Sequence, residues 1–198
     1  MVTVPYLLVS GCSHTSGVGI DKNCIWAAQL AKNLQLDLVN LALGGSCAKF
    51  VVTSLIDYLE STTILPELII AQWPNPYRSM KIFDQKIAFY NVNTMDDEFR
   101  YRINYNPNSF LEEWYSSILE LNSYCKTKLI NICFESHETI TTQLVSNLKS
   151  KEIILHTDEK ISGKTWHFDS GASDKLHHSA DCHQKWAERI LTILTNTV

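Results

Sequence analysis

The chain has 198 residues, 45% of them hydrophobic and 19% charged, and a formal charge of −4. A soluble chain of that length buries about 70% of the surface its unfolded form exposes, so no disulfide or metal is needed to hold a core. This balance excludes a disordered tail, a collagen-like repeat and a disulfide-dense miniprotein, and it gives no global attraction to nucleic acid or an anionic membrane.

In chain order, Tyr6 to Ser10 (YLLVS) is a short apolar run entering a glycine-containing turn, which predicts a buried strand. Leu8-Val9-Ser10-Gly11-Cys12 has the look of a lipoprotein cleavage site. No Lys or Arg precedes Cys12, however, and Pro5 interrupts the short apolar stretch, so the strand reading is preferred. Trp26 to Leu34 repeats apolar residues at helical spacing, and Leu36 to Leu41 reads as a second strand. A helix is expected from Cys47 to Leu59, a strand from Glu67 to Gln72, a helix from Phe110 to Tyr124 and a strand from Lys128 to Phe134. His137 to Leu148 is expected to be helical and Glu152 to Leu155 to form a fifth strand. Ser179 caps a last amphipathic helix reaching Leu194, with Trp186, Ala187, Ile190, Leu191 and Leu194 on its apolar face. No run of 18 apolar residues exists, so no membrane span is expected.

Strands alternating with helices predict an α/β fold, a three-layer α/β/α sandwich around a mostly parallel five-stranded sheet. Residues 1–198 are expected to form one domain. Tyr77 to Phe110 breaks the alternation and holds eight of the 15 Phe and Tyr residues, together with Asn91, Asn93, Asn104, Asn106 and Asn108. Such an aromatic insert is expected to be a lid or binding segment, or else a packed extension or dimer contact. The six cysteines, at 12, 24, 47, 125, 133 and 182, form no CxxC pair. They read as reduced small hydrophobes in a reducing, cytoplasmic setting.

Ligands of doubly wound sheets bind beyond the carboxyl ends of the strands. Three segments expected at that edge carry chemistry. Gly11-Cys12-Ser13-His14-Thr15-Ser16-Gly17 offers a hydroxyl on a strand-to-helix turn with free backbone donors. Asn40-Leu41-Ala42-Leu43-Gly44-Gly45-Ser46 puts two glycines at a helix mouth, where a substrate can approach the backbone. In Asp174-Lys175-Leu176-His177 an Asp three residues before a His can hold Nδ1 and leave Nε2 as a base. Each segment alone also fits a simple turn or helix-entry loop.

Together, in this order, the three blocks resemble the SGNH hydrolases, the GDSL esterase/lipase family. Gly11-Cys12-Ser13 resembles its Gly-Asp-Ser block, Asn40 with Gly45 its Asn-x-x-x-x-Gly block, and Asp174 with His177 its Asp-x-x-His block. The resemblance implies a flavodoxin-like sandwich and a serine esterase acting on a small acyl or acetyl ester; the aromatic and Asn side chains of the insert suit a sugar face or an acyl chain, so a carbohydrate ester is one version of that substrate. The resemblance implies Ser13 as nucleophile, His177 as general base and Asp174 as the residue orienting it, with the N–H groups of Ser13 and Gly45 in the oxyanion hole. The chain departs from the family at Cys12, which stands where the family has Asp, and in its third block, Ala71-Gln72-Trp73-Pro74-Asn75-Pro76. There Asn75 lies about one position beyond the family's oxyanion-hole Asn; it is the expected third oxyanion donor, with substitution by Gln72 or loss of the donor as the alternatives.

His14, Trp73 and Arg78 are candidates for substrate binding, Arg78 toward an anionic group; packing is the alternative for Trp73. Cys12 is a less favoured nucleophile than Ser13. His177, His178, Asp181, Cys182 and His183 are ligand-type residues, but their spacing does not bring four to one point, so no metal and no cofactor are expected. The expected partner is a small-molecule or glycan ester, with no nucleic acid and no membrane. A thioesterase, an acyltransferase and a non-catalytic ligand-binding module on the same fold remain open alternatives.

Overall fold

The computed structural model describes residues 4–83, 86–96, 106–134, 146–156 and 171–196. Five strands form one wholly parallel sheet: β1 (Tyr6–Ser10), β2 (Asp37–Asn40), β3 (Leu68–Gln72), β6 (Leu129–Ile132) and β7 (Leu155–His156), in the order β2-β1-β3-β6-β7. β1 and β3 are buried throughout because they are the inner strands of a sheet covered on both faces, which is why their sequences are continuously apolar rather than alternating. The chain reverses direction across the sheet between β1 and β3, and that is where such folds open a crevice.

Side chains alternate across the sheet and feed two cores. Leu7 and Val9 face α2 (Trp26–Leu34) and α5 (Ala180–Asn196), where Trp26, Leu30, Trp186 and Ile190 pack. Tyr6 and Leu8 face α3 (Ala48–Ser61) and α4 (Pro107–Tyr124), with Val51, Leu55, Trp114, Ile118 and Leu121. Each fully buried Leu, Ile or Val in these layers contributes roughly 1.5–3 kcal/mol of transfer free energy. Ser179 Oγ accepts from the Cys182 N–H at 3.2 Å, the capping bond its position predicts. α4 starts three residues before the predicted Phe110. Asn106 caps it by accepting from the Asn108 N–H, and Pro107 sits where its missing donor costs nothing.

Two expectations need correction. The last strand begins at Leu155, not Glu152: Glu152 has a left-handed φ of 61° and belongs to the turn that closes the helical residues 146–149. The segment after β3 carries regular structure, an antiparallel hairpin of β4 (Arg78–Phe83) and β5 (Lys86–Asn91) that lies apart from the main sheet. The remainder of the predicted His137 helix, and Phe99, Tyr101, Asn104 and Tyr105 of the aromatic insert, fall outside the described residues.

Candidate active site

Ser13 opens a helix of four residues, α1 (Ser13–Ser16), directly after β1. One helical turn is not self-sustaining, so its shape must come from its surroundings. Gly17 ends it with φ 68°, a conformation that favours glycine. Asn40 bridges from β2: its Nδ2 donates to the Thr15 carbonyl at 2.9 Å and its Oδ1 accepts from the Ala42 N–H at 3.0 Å. Ser46 Oγ and the Leu43 N–H both donate to the Gly11 carbonyl, at 2.8 and 3.1 Å. The first and second sequence blocks are therefore one bonded unit. From β3, Gln72 Oε1 accepts from the Cys12 N–H at 2.9 Å, from Cys12 Sγ at 3.2 Å and from Thr15 Oγ1 at 3.2 Å. A Cβ at Gly11 would lie 2.6 Å from Thr15 Oγ1 and 2.7 Å from Gln72 Oε1, so only glycine fits.

The Asp174–His177 pair forms as expected. Asp174 Oδ2 lies 2.6 Å from His177 Nδ1, while Oδ1 accepts from the Leu176 and His177 N–H groups at 3.0 Å each. The Leu176 N–H bond and the His177 side-chain bond hold the Asp174 carboxyl down from its ordinary value to about 2. The pair is partly solvent-exposed, with 28% of the His177 side chain and 30% of the Asp174 side chain accessible. One long-range tie anchors this loop: the Ser173 N–H and Oγ both donate to the Gly19 carbonyl, at 3.0 and 2.8 Å. Gly19 has φ 82°, and a Cβ there would lie 3.1 Å from both Ala172 Cβ and Asp174 Cγ.

An open cleft of about 470 Å³ joins these parts. Ser13 and Val18 line it from the first turn, Gly44 and Gly45 from the second loop, and His177 from the last. The fourth wall is the hairpin, through Arg78, Phe89, Tyr90 and Asn91. Gly45 takes φ 79°, leaving its backbone open to the cleft beneath Phe89. Phe89 also packs edge-on against Phe50 of α3, with ring centroids 5.6 Å apart, which docks the hairpin over the second loop. The cleft has the size of a small-molecule site.

Several candidates lie elsewhere. His14 adjoins Ser13 but does not line the cleft; its ring stacks on His178 at 5.0 Å and meets Trp186 and Phe134 edge-on. The cause is helical geometry, since successive side chains on α1 diverge by about 100°. Trp73 is fully buried against Trp114 and donates its indole N–H to Asn131 Oδ1 at 3.0 Å, so it packs the core and does not reach a substrate. Cys12 is fully buried with its thiol on Gln72, which removes it as a nucleophile. Gln72 is fully buried and is not among the cleft-lining residues, and its Nε2 donates to the Trp73 carbonyl at 2.9 Å. Asn75 is buried after β3, its Oδ1 accepting from the Tyr77 N–H at 2.9 Å, and it is not among the cleft-lining residues.

The ligand-type residues of the last loop and helix are each engaged separately. His183 Nδ1 accepts from the Trp26 N–H at 3.1 Å, and Asp181 pairs with Lys185 at 2.7 Å. Among the described residues no group of three or more His, Cys, Asp or Glu could hold a metal, and no helix is long and apolar enough to cross a membrane. All six cysteines are free thiols. Sequence reasoning missed Val18, Gly19 and the pairing that brings Arg78 opposite Asn91; only the Gly17-Val18-Gly19 spacing hinted at the first two.

No protein-family model and no curated protein matches the sequence. Solved structures do match its fold. The chain is 14% identical to TesA, with a TM-score of 0.60 over 98% of this chain and 99% of that one. A lipolytic protein of the G-D-S-L family from Veillonella parvula DSM 2008 is 12% identical, with a TM-score of 0.60 over 96% and 98% of the two chains. The acetyl xylan esterase Est2A from the rumen bacterium Butyrivibrio proteoclasticus is 13% identical, with a TM-score of 0.60. All of this chain matches there, but it spans only 65% of that esterase. The sandwich is thus the fold of G-D-S-L lipolytic proteins and carbohydrate esterases, in keeping with the resemblance carried by the motif blocks.

Proposed function

We propose that the chain is a serine ester hydrolase of the SGNH type, one domain, cleaving a small acyl or acetyl ester through an acyl-enzyme on Ser13. The observation that carries this reading is that Ser13 and His177 line one cleft, with His177 Nδ1 bonded to Asp174 at 2.6 Å. With Nδ1–H donated to the carboxylate, Nε2 is left as the acceptor for the Ser13 proton and then as the donor to the leaving alcohol. Asp174, held down to about 2, is ionised near neutral pH, so it stabilises the imidazolium that forms in the transition state. The Ser13 and Gly45 N–H groups are the oxyanion donors of this reading, without the third, side-chain donor expected from Asn75.

The substrate is a small-molecule or glycan ester. The hairpin supports a glycan version, since Phe89 and Tyr90 offer apolar faces and Asn91 an amide to one side of the cleft. Likeness of fold to an acetyl xylan esterase points the same way. Arg78 brings a positive charge to this wall, suited to an anionic group on the substrate. Six free thiols fit a reducing compartment, and we read the protein as cytoplasmic.

Hydrolysis of p-nitrophenyl acetate tests the reading. Ser13→Ala should lower kcat by about 10⁴-fold or more, with an unchanged unfolding temperature. Turnover equal to wild type in that variant would remove Ser13 from the mechanism. Product analysis with added alcohols or thiols separates hydrolysis from acyl transfer. A second reading, a binding module without turnover, is favoured by one observation: Asn75 does not line the cleft, and loss of one oxyanion donor costs about 10²–10³ in rate.

A further inference from the structure

Gln72 stands out because three donors from one short segment converge on its single side-chain oxygen: the Cys12 N–H, the Cys12 thiol and the Thr15 hydroxyl. The side chain is fully buried, and its other end is engaged as well, with Nε2 donating to the Trp73 carbonyl at 2.9 Å. The amide orientation is therefore fixed at both ends. Cys12 and Thr15 bracket Ser13 and His14, so one acceptor on β3 bonds both sides of the one-turn helix that presents the Ser13 hydroxyl. β1 and β3 are adjacent parallel strands, with Ser10 in register with Ala71, one residue before Gln72. The sheet itself thus sets where the acceptor stands.

Resting on the esterase reading, we propose that Gln72 is a positioning residue for the nucleophile: it clamps α1 to the end of β3 and fixes the Ser13 hydroxyl for attack. Cys12 belongs to the same device. Its thiol supplies the third donor, which an ionised Asp at that position would not. Such a carboxylate would face the Gln72 oxygen and oppose it, so the pair Cys12 and Gln72 forms a matched set in which changing one member disturbs the other. Without the Gln72 acceptor the buried Cys12 N–H and Thr15 hydroxyl would each lose this bond, and the turn would shift.

The test uses the full chain with three readouts. In Gln72→Leu, kcat on p-nitrophenyl acetate should fall about 10²-fold, as for a nucleophile displaced by about 1 Å, while KM stays within about threefold. Gln72→Glu guards against simple misfolding. When protonated, its carboxyl keeps an acceptor oxygen for the three donors and an O–H for the Trp73 carbonyl. When ionised, two oxygens face each other across that gap. The kcat ratio of Gln72→Glu to wild type should therefore be near one at the acid end and fall as pH rises. A ratio flat across pH, or Gln72→Leu turning over at the wild-type rate, would overturn the proposal. The third readout does not depend on turnover and so separates this inference from the esterase reading. Alkylation of Cys12 by N-ethylmaleimide in the folded protein, followed by peptide mapping, should be at least about tenfold faster in Gln72→Leu than in wild type. Equal rates would mean that no clamp exists, whether or not the chain cleaves esters.

Discussion

The two sides of the candidate site are built in opposite ways. Ser13 sits on a turn held from a distance: Gln72 bonds it from 57 and 60 residues away, Asn40 from 25, and Ser46 from 35. Almost every group in that network is buried. His177 sits on an exposed loop shaped mainly by its neighbours, since Asp174 supplies three bonds within three residues, and the loop is tied to the first turn through Ser173 and the Gly19 carbonyl. In the proposed mechanism the nucleophile must not move during acylation, and long-range bonds into a packed sheet give that rigidity. A base that swings between the nucleophile and the leaving group needs only the right tautomer, which one local carboxylate provides.

The largest break in this comparison is expected at the local side. Asp174→Asn keeps an oxygen for the backbone bonds but cannot hold His177 as a charged partner, and kcat should fall by about 10⁴-fold. Steady-state kinetics measure it, and a loss under tenfold would mean the loop orients His177 without Asp174. Next comes the tie between the two sides. Gly19→Ala forces an L side chain into φ 82° and against the Asp174 carboxyl. We expect kcat to fall about tenfold and stability by roughly 1 kcal/mol, read by thermal unfolding.

What each side shows also decides what the sequence could reveal. Asp174 and His177 lie three residues apart, so their pairing is legible in a single line of residues. The same is true of the β1 run and of the α5 apolar face, because burial and period are local properties. The Gln72 network is not legible in that way. A Gln at the end of an apolar strand carries no sign of which of its atoms faces a turn 60 residues earlier, so in the sequence it is no more than a possible substitute for Asn75. Trp73 and His14 failed for a related reason. Proximity in sequence to a site residue does not fix side-chain direction, which alternates along β3 and rotates along α1. The hairpin is not legible because neither of its strand sequences, RSMKIF and KIAFYN, alternates apolar and polar residues throughout.

The acid behaviour of the loop sharpens the comparison further. Asp174 is held below its unfolded value, so the stability it contributes is complete above that value. It is lost as pH falls through about 2. Carboxyl chemical shifts followed by NMR should place its midpoint there, and in His177→Ala the midpoint should rise. A midpoint at the ordinary 3.8 would mean the Asp174 bonds are not held in solution. The smallest effect belongs to the hairpin. Tyr90→Ala should change KM for a glycan ester several-fold while leaving kcat and KM on the small ester p-nitrophenyl acetate nearly unchanged. An equal change on both substrates would make the hairpin a structural prop and not a specificity wall.

The central claim is that the rigid turn presents a nucleophile to the base on the exposed loop. Labelling the folded protein with a fluorophosphonate and mapping the modified peptide tests it most directly. The account predicts one adduct, on Ser13, formed much more slowly in His177→Ala and absent in Ser13→Ala. An adduct on any other residue, or ester hydrolysis by the wild type with no adduct at all, would contradict it.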